Sequence, residues 1–170
     1  MKTEKAVSLM RMALIIATQS PDPRTQNGAI LATPDGKALL SGVNEFPKGV
    51  NNTAERWERP NKYFYVEHAE RNAIFTALRV GTPTKGNVLV CPWSACADCA
   101  RAIIQSGIST LIRLPSENHD HWEESCQKAD EMFAEAGVTI IELTEPLGEV
   151  LPLFRNGQRW LPPFASNNQP

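Results

Sequence analysis

Two short motifs constrain this chain more than anything else in it: His68-Ala69-Glu70 and, further on, Cys96-Ala97-Asp98-Cys99. One imidazole and two thiolates are good zinc ligands, and a catalytic zinc keeps three protein ligands and one open position. A structural site carries four protein ligands, and no fourth follows here at the usual finger spacing. Cys96 and Cys99 stand one helical turn apart, so both sulfurs can point the same way from a helix start. There the helix dipole and the free N–H groups favour thiolate over thiol. His68 and Glu70 are two apart, which in a regular helix sends them to different sides. They serve one site only if His68 sits at the helix entrance, where the backbone is not yet helical. Two helix N-termini are therefore expected to converge, with His68, Cys96 and Cys99 on one zinc ion per chain and Glu70 beside it as proton carrier. The plainer alternatives are a structural zinc knuckle, or two buried thiols and a hydrogen-bonded histidine.

The rest of the chain supplies a frame for such a site. Glu4 to about Ser20 is helical, with Val7, Met10, Leu14 and Ala17 on one face, and Pro21-Asp22-Pro23 stops it. Gly28–Thr33 and Ala38–Val43 read as strands joined by a turn at Asp35-Gly36, an antiparallel hairpin. Asn44 to about Val66 is irregular, a long loop leading into His68 that is either functional or a solvated excursion. Beyond His68 helices and strands alternate. Helices are expected over Ala69–Val80, Ala97–Ser106 and Trp122–Ala136, and strands over Asn87–Cys91, Thr110–Leu114 and Val138–Leu143. Gly81, Gly107 and Gly137 stand where helices stop, and strands separated by helices imply parallel pairing. The expected fold is a three-layer α/β/α domain around a five-stranded mixed sheet, over residues 1–143. From 144 to 170 the chain turns proline-rich but keeps Leu151, Leu153, Phe154, Trp160 and Phe164. Such an extension is expected to lie on the domain or on a neighbouring subunit.

A net charge of −2 gives no general attraction to a phosphate polymer, so a long nucleic-acid partner is not expected. No apolar run reaches spanning length and no signal peptide is read before the first helix, so no membrane partner is expected. Four cysteines, two of them assigned to metal, fit a reducing compartment, by default the cytoplasm. Cys91 and Cys126 read as buried small hydrophobes. Trp57 and Trp93 are candidates to line a pocket, while Trp122 and Trp160 read as packing residues. His119 and His121 could form a second metal site around Asp120, or simply a polar loop.

The runs His68-Ala69-Glu70-Arg71-Asn72-Ala73-Ile74 and Cys96-Ala97-Asp98-Cys99-Ala100-Arg101 resemble the zinc-dependent cytidine and deoxycytidylate deaminase superfamily, whose signature pairs H-x-E with C-x-x-C. Asp22-Pro23, Gly28-Ala29, Gly42-Val43-Asn44 with Pro47 and Gly49, and Lys62-Tyr63-Phe64-Tyr65-Val66 are similar to the deoxycytidylate branch. The resemblance runs from the first helix to about Leu143. It implies a cytidine-deaminase-like fold and the hydrolytic deamination of a small-molecule nucleotide, dCMP to dUMP with loss of ammonia. It also implies a homo-oligomer. By the same resemblance Asn44 is the candidate for a sugar hydroxyl, and Asn27, Ala69 and Tyr65 belong to the substrate pocket. A monophosphate needs cations, and Arg24, Lys48 and Lys62 lie on suitable loops; an ordinary solvated surface is the alternative for each.

There are departures from the family pattern. Ala95 replaces the usual proline before the first motif cysteine. Gly42-Val43-Asn44-Glu45 replaces a Gly-Tyr-Asn-Gly turn associated with triphosphate regulation, so a weak response to dCTP and dTTP is expected. Asn27 stands where valine is usual, and its amide needs a partner in the base, in water or in a neighbouring side chain. Replacing it by valine is expected to shift base preference more than stability. The rival functions are deamination of another amino-bearing base, nucleoside or modified nucleotide, editing of single strands, and a non-catalytic zinc module. The acidic balance disfavours editing, and Glu70 disfavours the inert module.

Overall fold

The computed structural model describes residues 1–115 and 122–168. Helix α1 (Thr3–Ala17) leads into the antiparallel hairpin β1 (Gly28–Ala32) and β2 (Ala38–Val43). The irregular stretch that follows carries two single-turn helices, α2 (Ala54–Trp57) and α3 (Lys62–Tyr65). Then come α4 (Ala69–Val80), β3 (Val88–Val90), α5 (Ala97–Gln105), β4 (Thr110–Arg113), α6 (Glu123–Ala136) and β5 (Thr139–Glu142). The elements match the periodicity of the sequence, with ends that coincide or shift by at most three residues. The sheet order is β2-β1-β3-β4-β5, with β1 antiparallel to both neighbours and β3, β4 and β5 parallel. This is the mixed five-stranded sheet the sequence predicts.

Strand alternation divides the interior into two layers. Ala29, Leu31, Leu89, Cys91 and Leu111 face α4, α5 and α6, where they meet Ala73, Ala77, Ile103 and Phe133. Ile30, Ala32, Val88, Val90 and Ile112 face the other way, onto Leu9, Met10, Ala13 and Leu14 of α1. Full burial of such aliphatic side chains contributes about 1.5–3 kcal/mol each, so these two layers hold the fold. Two glycines set how close the helices come. A Cβ on Gly28 would lie 2.6 Å from Ala17 N, and one on Gly42 would lie 2.5 Å from the Ala69 carbonyl oxygen. Thus α1 rests on β1, and the first turn of α4 on β2, at backbone contact. At the far edge Arg113 is buried and fastens β4 to α6 and β5, donating to both Asp130 oxygens at 2.7 and 2.8 Å and to Glu142 at 3.0 Å.

The last segment closes the α1 layer. Leu147 and Leu153 are buried in it, with Val150, Trp160 and Phe164 packed against it. Its centre is a second antiparallel hairpin, β6 (Leu153–Arg155) and β7 (Gln158–Trp160). Asn156 and Gly157 make the two-residue turn, both with positive φ of 53° and 80°. That is the turn an Asn-Gly pair favours between strands of right-handed twist.

Candidate metal centre and substrate cleft

The metal motifs stand at the N-termini of α4 and α5, both at the same end of the sheet. His68 is extended (φ −73°, ψ 153°) and caps α4; Cys96 is extended (φ −77°, ψ 169°) and caps α5. The non-helical backbone at His68 turns its ring to the side on which Glu70 lies, and Cys99 reaches the same point from the first turn of α5. His68 Nδ1 is 3.5 Å from each of the Cys96 and Cys99 Sγ atoms. One ligand atom from each of the three residues lies within 4.8 Å of the others. A tetrahedral zinc with metal–nitrogen near 2.0 Å and metal–sulfur near 2.3 Å separates its N and S ligands by about 3.6 Å. The cluster therefore fits zinc without rearrangement.

The charges also suit a dication. The Cys96 thiol is brought down to about 4, chiefly by its hydrogen bond with Cys99, against burial and with help from His68. Cys99 is pushed up by that same bond and by burial. Burial works against a charged His68, but the Cys96 contact and the negative Glu70 outweigh it, and its net shift is upward. Arg71 holds the two helix starts together: it pairs with Glu67 one turn before it and lies 3.5 Å from Asp98 of α5. In the sequence Arg71 is marked only by its place in the run from His68 to Ile74.

Glu70 is buried beside the ligands, and burial raises its carboxyl above the ordinary range against the pull of His68. Among the described residues, Glu70 Oε2, Trp93 Nε1 and Ser94 Oγ are the buried side-chain polar atoms without a protein partner. All three belong to residues that line one cleft, together with His68 and Cys96. A buried polar group without a partner costs roughly 1–3 kcal/mol, so three around one cleft mark a surface shaped for a polar molecule. Trp122 forms a wall there, its ring 5.5 Å from that of His68 at 72°.

The cleft does not gather every residue the sequence nominates. Asn44 and Asn27 line it, but both amides also hold the loops. Asn44 Oδ1 accepts from Asn27 N at 2.6 Å, while its Nδ2 donates to Asp22 at 2.9 Å and to Thr25 O at 2.6 Å. Asn27 Oδ1 accepts from Gly28 N at 2.9 Å, and its Nδ2 lies 3.3 Å from Cys91 Sγ. The partner demanded by an amide at 27 is thus a neighbouring side chain. Lys62 lines the cleft too, but it is buried in an ion pair with Asp22. Ala69 is buried under Gly42 and does not reach the cleft. Arg24 points outward to an exposed ion pair with Glu58, and Lys48 is exposed on its loop; neither lines the cleft. Tyr65 packs instead on Phe46 at 6.1 Å with Arg56 over its ring.

The tryptophans also sort differently. Trp57 stacks on Phe46 at 4.2 Å in a small separate core with Val66 and does not itself line the cleft. Trp93 lines the cleft as expected, and Trp122, read from sequence as packing, lines it as well. Cys91 and Cys126 are buried, and Cys126 also reaches the cleft wall. Among the lining residues, Thr25 and Arg59 from the loops and Arg155 and Asn156 from the second hairpin had no signal in the local sequence. His119 and His121 lie outside the described residues.

A family model described as the cytidine and deoxycytidylate deaminase zinc-binding region matches residues 3–114, the span that holds both metal motifs. The chain belongs to this deaminase family. Among its relatives, a protein named as an uncharacterized deaminase in the luxG 3′ region of Aliivibrio fischeri is 36% identical over 138 residues, 79% of this chain and 90% of that protein. Human deoxycytidylate deaminase is 34% identical over 137 residues, covering 77% of this chain and 75% of the human protein. In structure, the dCMP deaminase of cyanophage S-TIM5 superimposes with a TM-score of 0.65 at 25% identity, over 82% of this chain and 98% of the phage chain. The mixed sheet with its flanking helices is therefore the cytidine-deaminase-like fold. The family's zinc-binding region coincides with the His68, Cys96 and Cys99 cluster.

Proposed function

We propose that this protein hydrolytically deaminates a pyrimidine nucleotide, converting dCMP and water to dUMP and ammonia. The observation that carries the proposal is the buried Glu70 carboxylate oxygen, without a protein partner, beside a His/Cys/Cys cluster of zinc dimensions. His68, Cys96 and Cys99 hold one zinc per chain, which when bound lowers the pKa of a coordinated water toward about 7. Glu70 is the proton carrier. Its raised carboxyl takes a proton from the attacking water and delivers it to N3 of the cytosine ring. Glu70 then takes the second proton, from the oxygen now on C4, and passes it to the amino group as the C4–N bond breaks, releasing ammonia. The C4–O bond replaces the C4–N bond, and no other reactant is needed.

The cleft walls supply orientation. Trp122 and Trp93 present aromatic surface to the base, while Trp93 Nε1 donates and Ser94 Oγ donates or accepts at its polar edge. Asn44 has one Oδ1 lone pair left beyond its structural bonds, which suits a sugar hydroxyl. Residues 1–143 carry this chemistry and 144–170 serve it as an extension. No described helix is long and apolar enough to cross a membrane. The four free, buried thiols suit a reducing cytoplasm, and the net charge of −2 suits a small-molecule substrate better than a nucleic-acid strand. Phe64 and Leu78 are 81% and 78% exposed, apolar surface that a homo-oligomer would cover.

The test is ammonia release from a panel of free bases, nucleosides and nucleotides. The proposal expects dCMP to give the highest kcat/KM. A purine or a free base turned over faster than dCMP would overturn it.

A further inference from the structure

The hairpin β6–β7 lies outside the span matched by the family model, yet it forms part of the cleft. It is fixed there by two main-chain bonds, Gln26 N donating to Phe154 O at 2.9 Å and Gly157 N to Arg24 O at 2.8 Å, and by Asn156 N donating to the Thr25 hydroxyl at 3.2 Å. Leu153 is buried at its root, and Trp160 meets Trp93 edge-on at 5.6 Å. A hairpin held at so many points carries its side chains to defined places. Arg155 is set over the Trp93 ring at 5.7 Å, and Arg59, from the loop before His68, donates to Asn156 Oδ1 at 3.2 Å.

Burial orders the cleft from floor to rim. Glu70 and Cys96 are buried, whereas Arg59 and Asn156 are exposed and Arg155 is half-buried. Lys62, the remaining cation in the wall, is neutralised by Asp22. Arg59 is held by a neutral amide and the Tyr63 ring, with no carboxylate paired to it among the described residues. Two guanidinium groups line the same cleft as the buried Glu70 and Cys96 but at its more exposed part, and guanidinium offers phosphate a planar, bidentate grip.

We propose that Arg155, delivered by the C-terminal hairpin and assisted by Arg59, binds the 5′-phosphate of the substrate and makes the enzyme select nucleotide over nucleoside. The proposal deepens the deaminase reading above and rests on it. The chain beyond the deaminase core thereby becomes a specificity element, and Asn156 serves as the tie that positions Arg59.

The experiment compares kcat/KM for dCMP and deoxycytidine, and the affinity for dUMP by calorimetry, in the wild-type enzyme and in Arg155→Gln. Arg159→Gln, an exposed change on the neighbouring strand, is the control. Zinc content and Tm show whether each variant is folded. Arg155→Gln is expected to lower kcat/KM for dCMP and affinity for dUMP by roughly 10–100-fold, leaving deoxycytidine within about twofold. Arg159→Gln is expected to leave both unchanged. If Arg155→Gln lowers zinc content or Tm, Arg59→Gln is read in its place, with the same expected split. A preference for dCMP that survives both substitutions overturns this inference and leaves the deaminase reading standing. A wild-type enzyme that treats dCMP and deoxycytidine alike overturns both.

Discussion

Gly42 lies directly beneath Ala73: a side chain at Gly42 would be 2.5 Å from the Ala69 carbonyl oxygen and closer still to the Ala73 nitrogen. The first turn of α4 sits at backbone contact with β2, and His68 and Glu70 are held at the start of that turn. Gly42→Ala would push the helix away from the sheet. Overpacking of this kind costs about 1–3 kcal/mol, and here the shift is transmitted to the metal ligands. The variant is expected to lose stability by that amount and to retain less zinc after dialysis against a weak chelator. Wild-type zinc retention in Gly42→Ala would show that the close contact does not position the site.

Lys62 and Asp22 form a buried ion pair, and Asp22 also receives N–H bonds from Arg24 at 2.9 Å, from Thr25 at 3.0 Å and from Asn44 at 2.9 Å. Removing one member leaves the other buried and charged, which costs about 3–5 kcal/mol. Lys62→Met is expected to be destabilised on that scale in urea titration. The double variant with Asp22→Asn is expected to recover part of the loss, because the uncompensated charge is gone. Equal stability of Lys62→Met and wild type would mean that the pair is not buried in solution.

Asn27→Val removes the acceptor for Gly28 N and the side-chain contact with Cys91. From sequence the change is expected to alter base preference more than stability. The observed bonds call for a stability loss as well, about 1–2 kcal/mol for the orphaned Gly28 amide. In a chain of this size that is a drop in Tm of several degrees. An unchanged Tm together with a changed base preference would restore the earlier expectation.

Much of this was legible in the chain. The strands and helices follow from local periodicity and glycine stops, and the metal cluster from residues three apart on one helix turn and two apart at another. What was not legible depends on long-range packing. Arg24 and Lys48 sit on loops next to the cleft, but their side chains point to solvent, which loop position alone does not tell. Trp122 reaches His68 only because α6 packs beside α5. Arg155 and Asn156 lie far from the motifs in sequence, and only the fold returns them to the cleft.

The account stands most directly on Glu70, whose carboxyl is assigned to proton transfer and not to metal binding. Glu70→Gln preserves the volume of the side chain and removes its ability to carry the proton. The deciding measurement is kcat for dCMP together with zinc per chain in this variant. Zinc is expected to stay near one per chain while kcat falls by about 10²–10⁴-fold. A Glu70→Gln enzyme with full zinc and a kcat within a few-fold of wild type would contradict the account.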